Sequence, residues 1–194
     1  MEGRWEKIVA LRACDIVSVE NLSSGSQVFL NSKLSPEALI VSLSEAGKWP
    51  DAITVMASSL PRREAVWWAC VCCRHVPGLD ADKGEMNALE AAEKWVFKPS
   101  DKNRSESFFS AGRSSTASAG TLTALAAGCS DSKLKVDENH EIDIDSSSFA
   151  QIVAAAVLVA ASMEADEKLN DVYSLFILMG EDIAKGGNGR VEKS

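Results

Sequence analysis

The sequence predicts an all-α fold, with about seven to eight helices arranged as stacked antiparallel hairpins. Three observations carry this. Apolar residues recur at helical spacing along most of the chain. Ser, Asp and Pro stand at the starts of these runs, and Gly or Pro at their ends. Alanine is used heavily, which favours helix and lets helices approach closely. With 46% apolar and 25% charged residues over 194 positions, the composition is that of an ordinary globular protein. A chain of this length can bury a core without disulfides or metal.

Residues 1–33 are irregular: Ile8-Val9-Ala10-Leu11 reads as the start of a short helix, and Asn21 to Ser26 as a Ser/Gly-rich turn. Ser35-Pro36-Glu37 opens the first clear helix, with Ser as N-cap, Pro at the first helical position and Glu at the positive end of the dipole. Leu39, Ile40 and Leu43 form its apolar face, and Gly47 ends it. A second helix runs from Pro50 or Asp51 to Leu60, with Ile53, Met56, Ala57 and Leu60 on one face. Pro61 cannot continue that helix but can open the next, from Arg62 to about His75, which carries Trp67, Trp68 and three cysteines.

The fourth helix is expected over Asp82 to Phe97, with Gly84 weakening its first turn. The fifth starts at Pro99-Ser100-Asp101, passes Phe108-Phe109 and ends near Gly112; a short sixth covers Ala119 to Ala127. Gly128 to Ser147 is a polar, acidic gap, in which Ile142 and Ile144 alternate with Asp143 and Asp145 as in a short extended segment. Ser148 to Met163 is apolar nearly all round, the mark of a central helix. Asp166 to Ala184 is amphipathic, with Val172, Phe176 and Ile183 near one face. Residues 1–185 are thus expected to form a single helical domain. Residues 186–194, opening with Gly186-Gly187-Asn188-Gly189, are expected to be a flexible C-terminal tail.

The net charge of −8 argues against nucleic acid or an anionic membrane as partner, because both select an excess of Lys and Arg. The most apolar segment, Ile152 to Ala161, falls well short of the about 20 apolar residues that span a bilayer, so no membrane insertion is expected. No secretory leader is legible, and five cysteines, three of them crowded at 70, 72 and 73, suit a reducing compartment. A cytoplasmic location is therefore expected.

Cys70 and Cys73 share a side of the third helix, with His75 two residues on, and could face one metal. A structural zinc site wants four ligands, however, and Cys14, Cys129 and His140 are scattered singly; buried core thiols are the favoured reading. The acidic run Asp137 to Asp145 lacks the central Gly and closing Glu of a calcium loop and reads as solvated. His75 and His140 are the only imidazoles, and no nucleophile elbow, phosphate loop or dinucleotide fingerprint accompanies them. The chain is read as non-enzymatic, without cofactor or metal.

The most distinctive stretch is Arg62-Arg63-Glu64 with Trp67-Trp68. Adjacent residues on a helix point about 100° apart, so one Trp can enter the core while the other lines a groove. Arg with Trp is also the composition of a binding hot spot. Arg62, Arg63, Trp67 and Trp68 are therefore the protein-binding candidates. The structural alternative is that both Trp wedge neighbouring helices while Arg62 and Glu64 form local ion pairs.

Gly47-Lys48-Trp49-Pro50-Asp51-Ala52-Ile53, then Leu60-Pro61, Ala65 and Trp67, resembles tetratricopeptide spacing over about one repeat, although the Pro comes too early. This weakly tetratricopeptide-like pattern implies related hairpin stacking and not a repeat array. The run Leu60-Pro61-Arg62-Arg63-Glu64-Ala65-Val66-Trp67-Trp68-Ala69-Cys70 is similar to the hallmark of a bacterial family of unknown function. Leu34-Ser35-Pro36-Glu37, Ala46-Gly47-Lys48-Trp49, Ala91-Ala92-Glu93-Lys94-Trp95-Val96, Pro99-Ser100-Asp101-Lys102-Asn103-Arg104 and Gly180-x-Asp182-Ile183-Ala184 match in order. The resemblance spans about residues 8–186 and departs in the Ser-rich region Ser110 to Ser132, where the family is richer in Ala and Trp.

The resemblance implies an all-helical, non-enzymatic protein. Some members are encoded near type VI secretion genes, which implies a secretion accessory role. The leading expectation is an adaptor that binds another protein, such as a secretion component or effector. The second is an immunity or inhibitor protein that neutralises a basic toxin, suggested by the net charge of −8 and the acidic run at 137–145. The third is a metal-binding protein using Cys70, Cys73 and His75.

Overall fold

A computed structural model describes residues 5–31, 33–78, 82–113, 117–135 and 140–191. Within these residues the chain forms α1 (Pro36–Glu45), α2 (Trp49–Ser59), α3 (Arg62–His75), α4 (Lys83–Phe97), α5 (Asp101–Gly112) and α6 (Ala119–Gly128). A small hairpin of β1 (Lys133–Lys135) and β2 (Glu141–Asp143) follows, then α7 (Ser146–Ala161) and α8 (Leu169–Ala184). The architecture is all-α, as the periodicity predicts. The hairpin is antiparallel, pairing Lys133 with Asp143 and Leu134 with Ile142, so the alternation around Ile142 does mark extended chain.

Helix starts follow from local chemistry. The first amides of a helix have no partner within it, and a short polar side chain just ahead can accept from them. Ser35 Oγ accepts from Ala38 N at 3.3 Å, and Asp82 Oδ1 from Gly84 N at 2.7 Å. Ser100 Oγ accepts from Asn103 N, Ser118 Oγ from Thr121 N, and Asp145 Oδ1 from Ser148 N. The α1–α2 turn needs a left-handed residue, which Gly47 supplies at φ 67°.

The expected helix at Ile8–Leu11 does not form. Ile8 is buried while Val9 and Leu11 face solvent, and the backbone is held by distant partners: Lys7 N donates to Ala184 O and Ala13 N to Leu34 O. Short 3₁₀ turns at Ala13–Asp15, Val19–Asn21 and Gln27–Phe29 carry the chain onward. The buried carboxylate of Asp51, on α2, ties down this layer by accepting from Ser23 N, Ser23 Oγ and Ser26 Oγ.

Helices adjacent in sequence pack together, α1 with α2, α4 with α5 and α5 with α6. α7 then packs against α2, α3, α6 and α8, gathering the pairs around one central helix. Its Ala150, Ala154, Ala156, Ala160 and Ala161 are buried, and small side chains let several neighbours approach at once. Among the described residues no single helix is long and apolar enough to cross a membrane; the apolar pair Ser146–Ala161 and Asp166–Ala184 is bent by 119°.

The described part of the expected flexible tail, residues 186–191, folds back on the domain. Gly187 N donates to Asp182 O and Gly189 N to Asp182 Oδ2, both at 2.8 Å, and Val191 packs against the core. A Cβ at Gly187 would collide with the Asp182 carboxylate, so glycine there serves a close approach.

Candidate functional site

The run from Leu60 to Cys70 closes α2 and builds the first turns of α3. Its side chains leave the helix in different directions, and each finds a separate part of the molecule. Arg62 Nη1 donates to the carbonyls of Cys129 (3.1 Å) and Asp131 (3.0 Å), and Nη2 to that of Ile144 (3.3 Å). The guanidinium also lies 4.9 Å from the ring centroid of Phe149. Arg62 therefore staples the end of α6 to the start of α7. These carbonyls stand in place of the local ion pair with Glu64 that the structural alternative gave it, and they occupy both terminal nitrogens of a guanidinium singled out as a contact candidate.

Arg63 is exposed, and its Nε donates to Val96 O at 2.7 Å, one of the last carbonyls of α4 that the helix itself cannot satisfy. Glu64 pairs with Lys7 at 3.1 Å, joining the N-terminal segment to α3.

The two tryptophans divide as their 100° offset requires. Trp68 is fully buried, with its indole N–H donating to Phe176 O at 2.8 Å. It is a core wedge against α8 and is removed from the contact candidates. Trp67 is half-buried; its indole N–H donates to Asn188 O at 2.9 Å, and its ring meets Phe97 edge-on at 5.4 Å and 63°. Phe97, the last residue of α4, is 70% exposed.

Most of the α-helical domain, including this run, falls within one family model, the family of unknown function DUF6931, which matches residues 39–184. The chain belongs to that family. No curated protein and no solved structure gives a match.

The DUF6931 span supplies α3, α4 and α8 around Trp67, while Lys7 and the strap 186–191 come from outside it. Between them lie two clefts that share the Trp67 ring. One, of about 250 Å³, is bounded by Lys7, Arg63, Glu64, Val96, Phe97, Ile183, Gly187 and Asn188. The other, of about 420 Å³, is bounded by Val71, Arg74, His75, Glu93, Met179 and the strap residues Gly189, Arg190 and Val191. Arg74 holds Glu93 through two bonds of 2.8 and 2.7 Å, and this hydrogen-bonded carboxylate raises the guanidinium above its ordinary pKa. A third depression, of about 400 Å³, lies between α5 and the hairpin; its Arg104 pairs with Asp101 and Asp131, and its Lys133 with Glu141.

The cysteines of α3 are not assembled into a metal site. Cys70, Cys72 and Cys73 are buried whereas His75 is exposed, and the His75 ring stands edge-on to Phe176 at 6.1 Å. Burial pushes the Cys70 and Cys72 thiols well above their ordinary value and that of Cys73 to about 12, and Cys73 Sγ lies 3.4 Å from Thr123 Oγ1. Among the described residues no three His, Cys, Asp or Glu converge as metal ligands. Of the acidic run, residues 136–139 lie outside the described residues; Glu141 pairs with Lys133, and Asp145 caps α7.

Of the residues singled out in the sequence, Arg63 and Trp67 line these clefts; Phe97, Lys7 and Arg190, which line them too, were not singled out. A Phe directly before Lys98-Pro99, at the edge of a helix whose face already holds Trp95 and Val96, was the available signal for Phe97. Nothing local announces Lys7 or Arg190, which arrive from the two ends of the chain.

Proposed function

We propose that this DUF6931 protein is a non-enzymatic adaptor that binds another protein through the groove around Trp67 and Phe97, with Arg63 on its rim. The observation that carries the reading is the exposed Phe97 ring set edge-on to the half-buried Trp67 at the mouth of a cleft. An aromatic pair in a depression, rimmed by charge, has the composition of a hot spot, and a partner side chain inserted there would remove both rings from water. The burial of the α3 thiols, which disfavours their thiolate forms, supports binding over thiol or metal chemistry at this helix. The setting proposed is a secretion apparatus of type VI kind, with a secretion component or effector as partner and the cytoplasm as the place of encounter. The secretion setting rests on the family resemblance, and the cytoplasm on the cysteine usage.

The test is affinity capture from cells that make the protein natively, comparing wild type with Phe97→Ala and identifying the retained proteins by mass spectrometry. Loss of a secretion component or effector with the variant is the expected result. Identical captured proteins for both forms refute the assignment of this surface.

A further inference from the structure

We propose that the groove takes an acidic linear segment of its partner, anchored by one aromatic or large aliphatic side chain beside Trp67 and Phe97. The inference rests on the adaptor reading above and adds the chemistry of what is bound. Three observations lead to it.

The first is size. The Phe97 cleft, at about 250 Å³, lies below the about 300–1,000 Å³ of pockets that take whole small molecules. Its walls are the rings of Trp67 and Phe97 with the side chains of Val96 and Ile183, which suits one inserted apolar side chain.

The second is charge. Among the described residues lining the two clefts that share Trp67, Lys7, Arg63, Arg74 and Arg190 stand against Glu64 and Glu93, an excess of two positive charges in the lining of a chain of net charge −8, with the Asp182 carboxylate held behind the strap by Gly189 N. Lys7 is matched by Glu64 and Arg74 by Glu93, so the excess belongs to Arg63 and Arg190.

The third is open donors. The Nε of Arg63 is held by Val96 O, while its two terminal nitrogens have no partner among the described residues; the exposed Arg190 side chain has none there either. A guanidinium fork matches a carboxylate through two parallel hydrogen bonds. The two forks flank Trp67, one in each cleft, so carboxylates on both sides of a central apolar residue meet a donor on each side. A basic segment would instead face two guanidiniums, and the described carboxylates of the lining, Glu64 and Glu93, are already paired with Lys7 and Arg74.

The probe is a random dodecapeptide library displayed on phage, selected on the folded full chain. Synthetic copies of the enriched peptides are then titrated by fluorescence anisotropy against wild type, Phe97→Ala, Arg63→Gln and Arg190→Glu, with circular dichroism confirming that each variant folds. Arg190 and Phe97 are exposed, so their replacement leaves the core intact. The expected result is enrichment of peptides with Asp or Glu on both sides of an aromatic or aliphatic residue. Their binding should weaken at least about tenfold with Phe97→Ala and with Arg190→Glu, and weaken further as salt is raised. Basic or uncharged peptides that still lose binding with Phe97→Ala overturn the acidic occupant and leave the adaptor surface standing. Peptides indifferent to Phe97→Ala, or no enrichment at all, overturn both.

Discussion

Arg62→Ala is expected to destabilise the fold far more than Arg63→Ala, although the two arginines are adjacent in the same motif. Arg62 makes three hydrogen bonds to carbonyls of Cys129, Asp131 and Ile144 and stacks over Phe149. A bond from a charged donor contributes about 1.5–3 kcal/mol when well shielded, and a cation–π contact about 0.5–2 kcal/mol. Arg62 is itself half-buried, the Asp131 carbonyl is exposed and that of Ile144 only partly covered, so solvent competes for all three bonds and cuts the simple sum of about 5–11 kcal/mol to about 2–4 kcal/mol. Arg63 loses one bond from an exposed side chain, about 0.5–1 kcal/mol. For a chain of this size 1 kcal/mol corresponds to about 2–4 °C in Tm. Arg62→Ala should therefore lower Tm by about 5–15 °C and Arg63→Ala by about 1–4 °C, measured by calorimetry with urea unfolding as a check. Arg62→Lys should fall between, since an ammonium is a point charge and cannot reproduce the planar fork. Equal losses for the two alanine variants, or an Arg62→Ala loss under about 2 °C, would refute the staple.

Other consequences of the packing are open to direct measurement. In the native protein at pH 8, Ellman's reagent should label Cys14 alone among the five free cysteines, with the other four reacting only in denaturant; rapid native labelling of Cys70, Cys72 or Cys73, located by peptide mapping, contradicts the burial described for α3. Burial pushes the Asp51 carboxyl up, but hydrogen bonds from Ser23 and Ser26 and the charge of Lys48 outweigh it, leaving the pKa below the ordinary 3.8. A depressed folded pKa contributes stability that is fully present above the unfolded value and lost as pH falls through the folded one. Asp51→Asn should therefore be less stable than wild type at pH 7, with the gap closing below about pH 3.8; a gap that is constant across this range would show that the carboxylate charge does not matter. Gly187→Ala should lift the strap, because the new Cβ meets the Asp182 carboxylate; amide exchange at residues 187 and 189 should rise while α3 and α7 stay protected, and unchanged exchange would mean the strap tolerates the side chain.

What could be read from the sequence was what is decided locally. Ser35, Asp82 and Ser100 lie one residue ahead of the helices they cap, so the signal and its effect share a few residues. The Trp pair shows where this stops. Helical geometry requires one ring in and one out, but Trp68 is the inner one only because that face of α3 meets Phe176, more than a hundred residues away in α8. The same distance hid the staple role of Arg62, whose acceptors lie 67 to 82 residues further along. The N-terminal stretch at Ile8–Leu11 reads as the start of a helix, yet its flanks are tied elsewhere, Lys7 N to Ala184 O at the end of α8 and Ala13 N to Leu34 O, and Val9 and Leu11 are left outside. In the strap, the glycine run reads as a loose tail, whereas residues 187 and 189 bond to Asp182 and a Cβ at 187 would meet its carboxylate, contacts that no local pattern announces.

The motif itself now divides into two kinds of residue, and the division bears on where function can reside. Leu60, Ala65, Val66, Trp68, Ala69 and Cys70 are buried, Arg62 clasps the junction of α6 and α7, and Glu64 holds the N-terminal segment through Lys7. Most of the run thus joins separate elements of the fold onto one helix end, which makes it a mark of architecture more than of binding. Arg63 and Trp67, with Glu64 beside them, line the clefts, and they need residues outside the motif to form the proposed site. Phe97 comes from the far end of α4, and Lys7 and Arg190 from the two termini. A chain with the same motif but different residues at those three positions would keep the scaffold and present a groove of different chemistry. Exchanging Phe97, Lys7 and Arg190 together, with the motif untouched, should therefore change what is bound while leaving Tm within a few degrees of wild type, as expected for substitutions away from the core. Loss of folding in that triple variant would instead place the three residues in the scaffold.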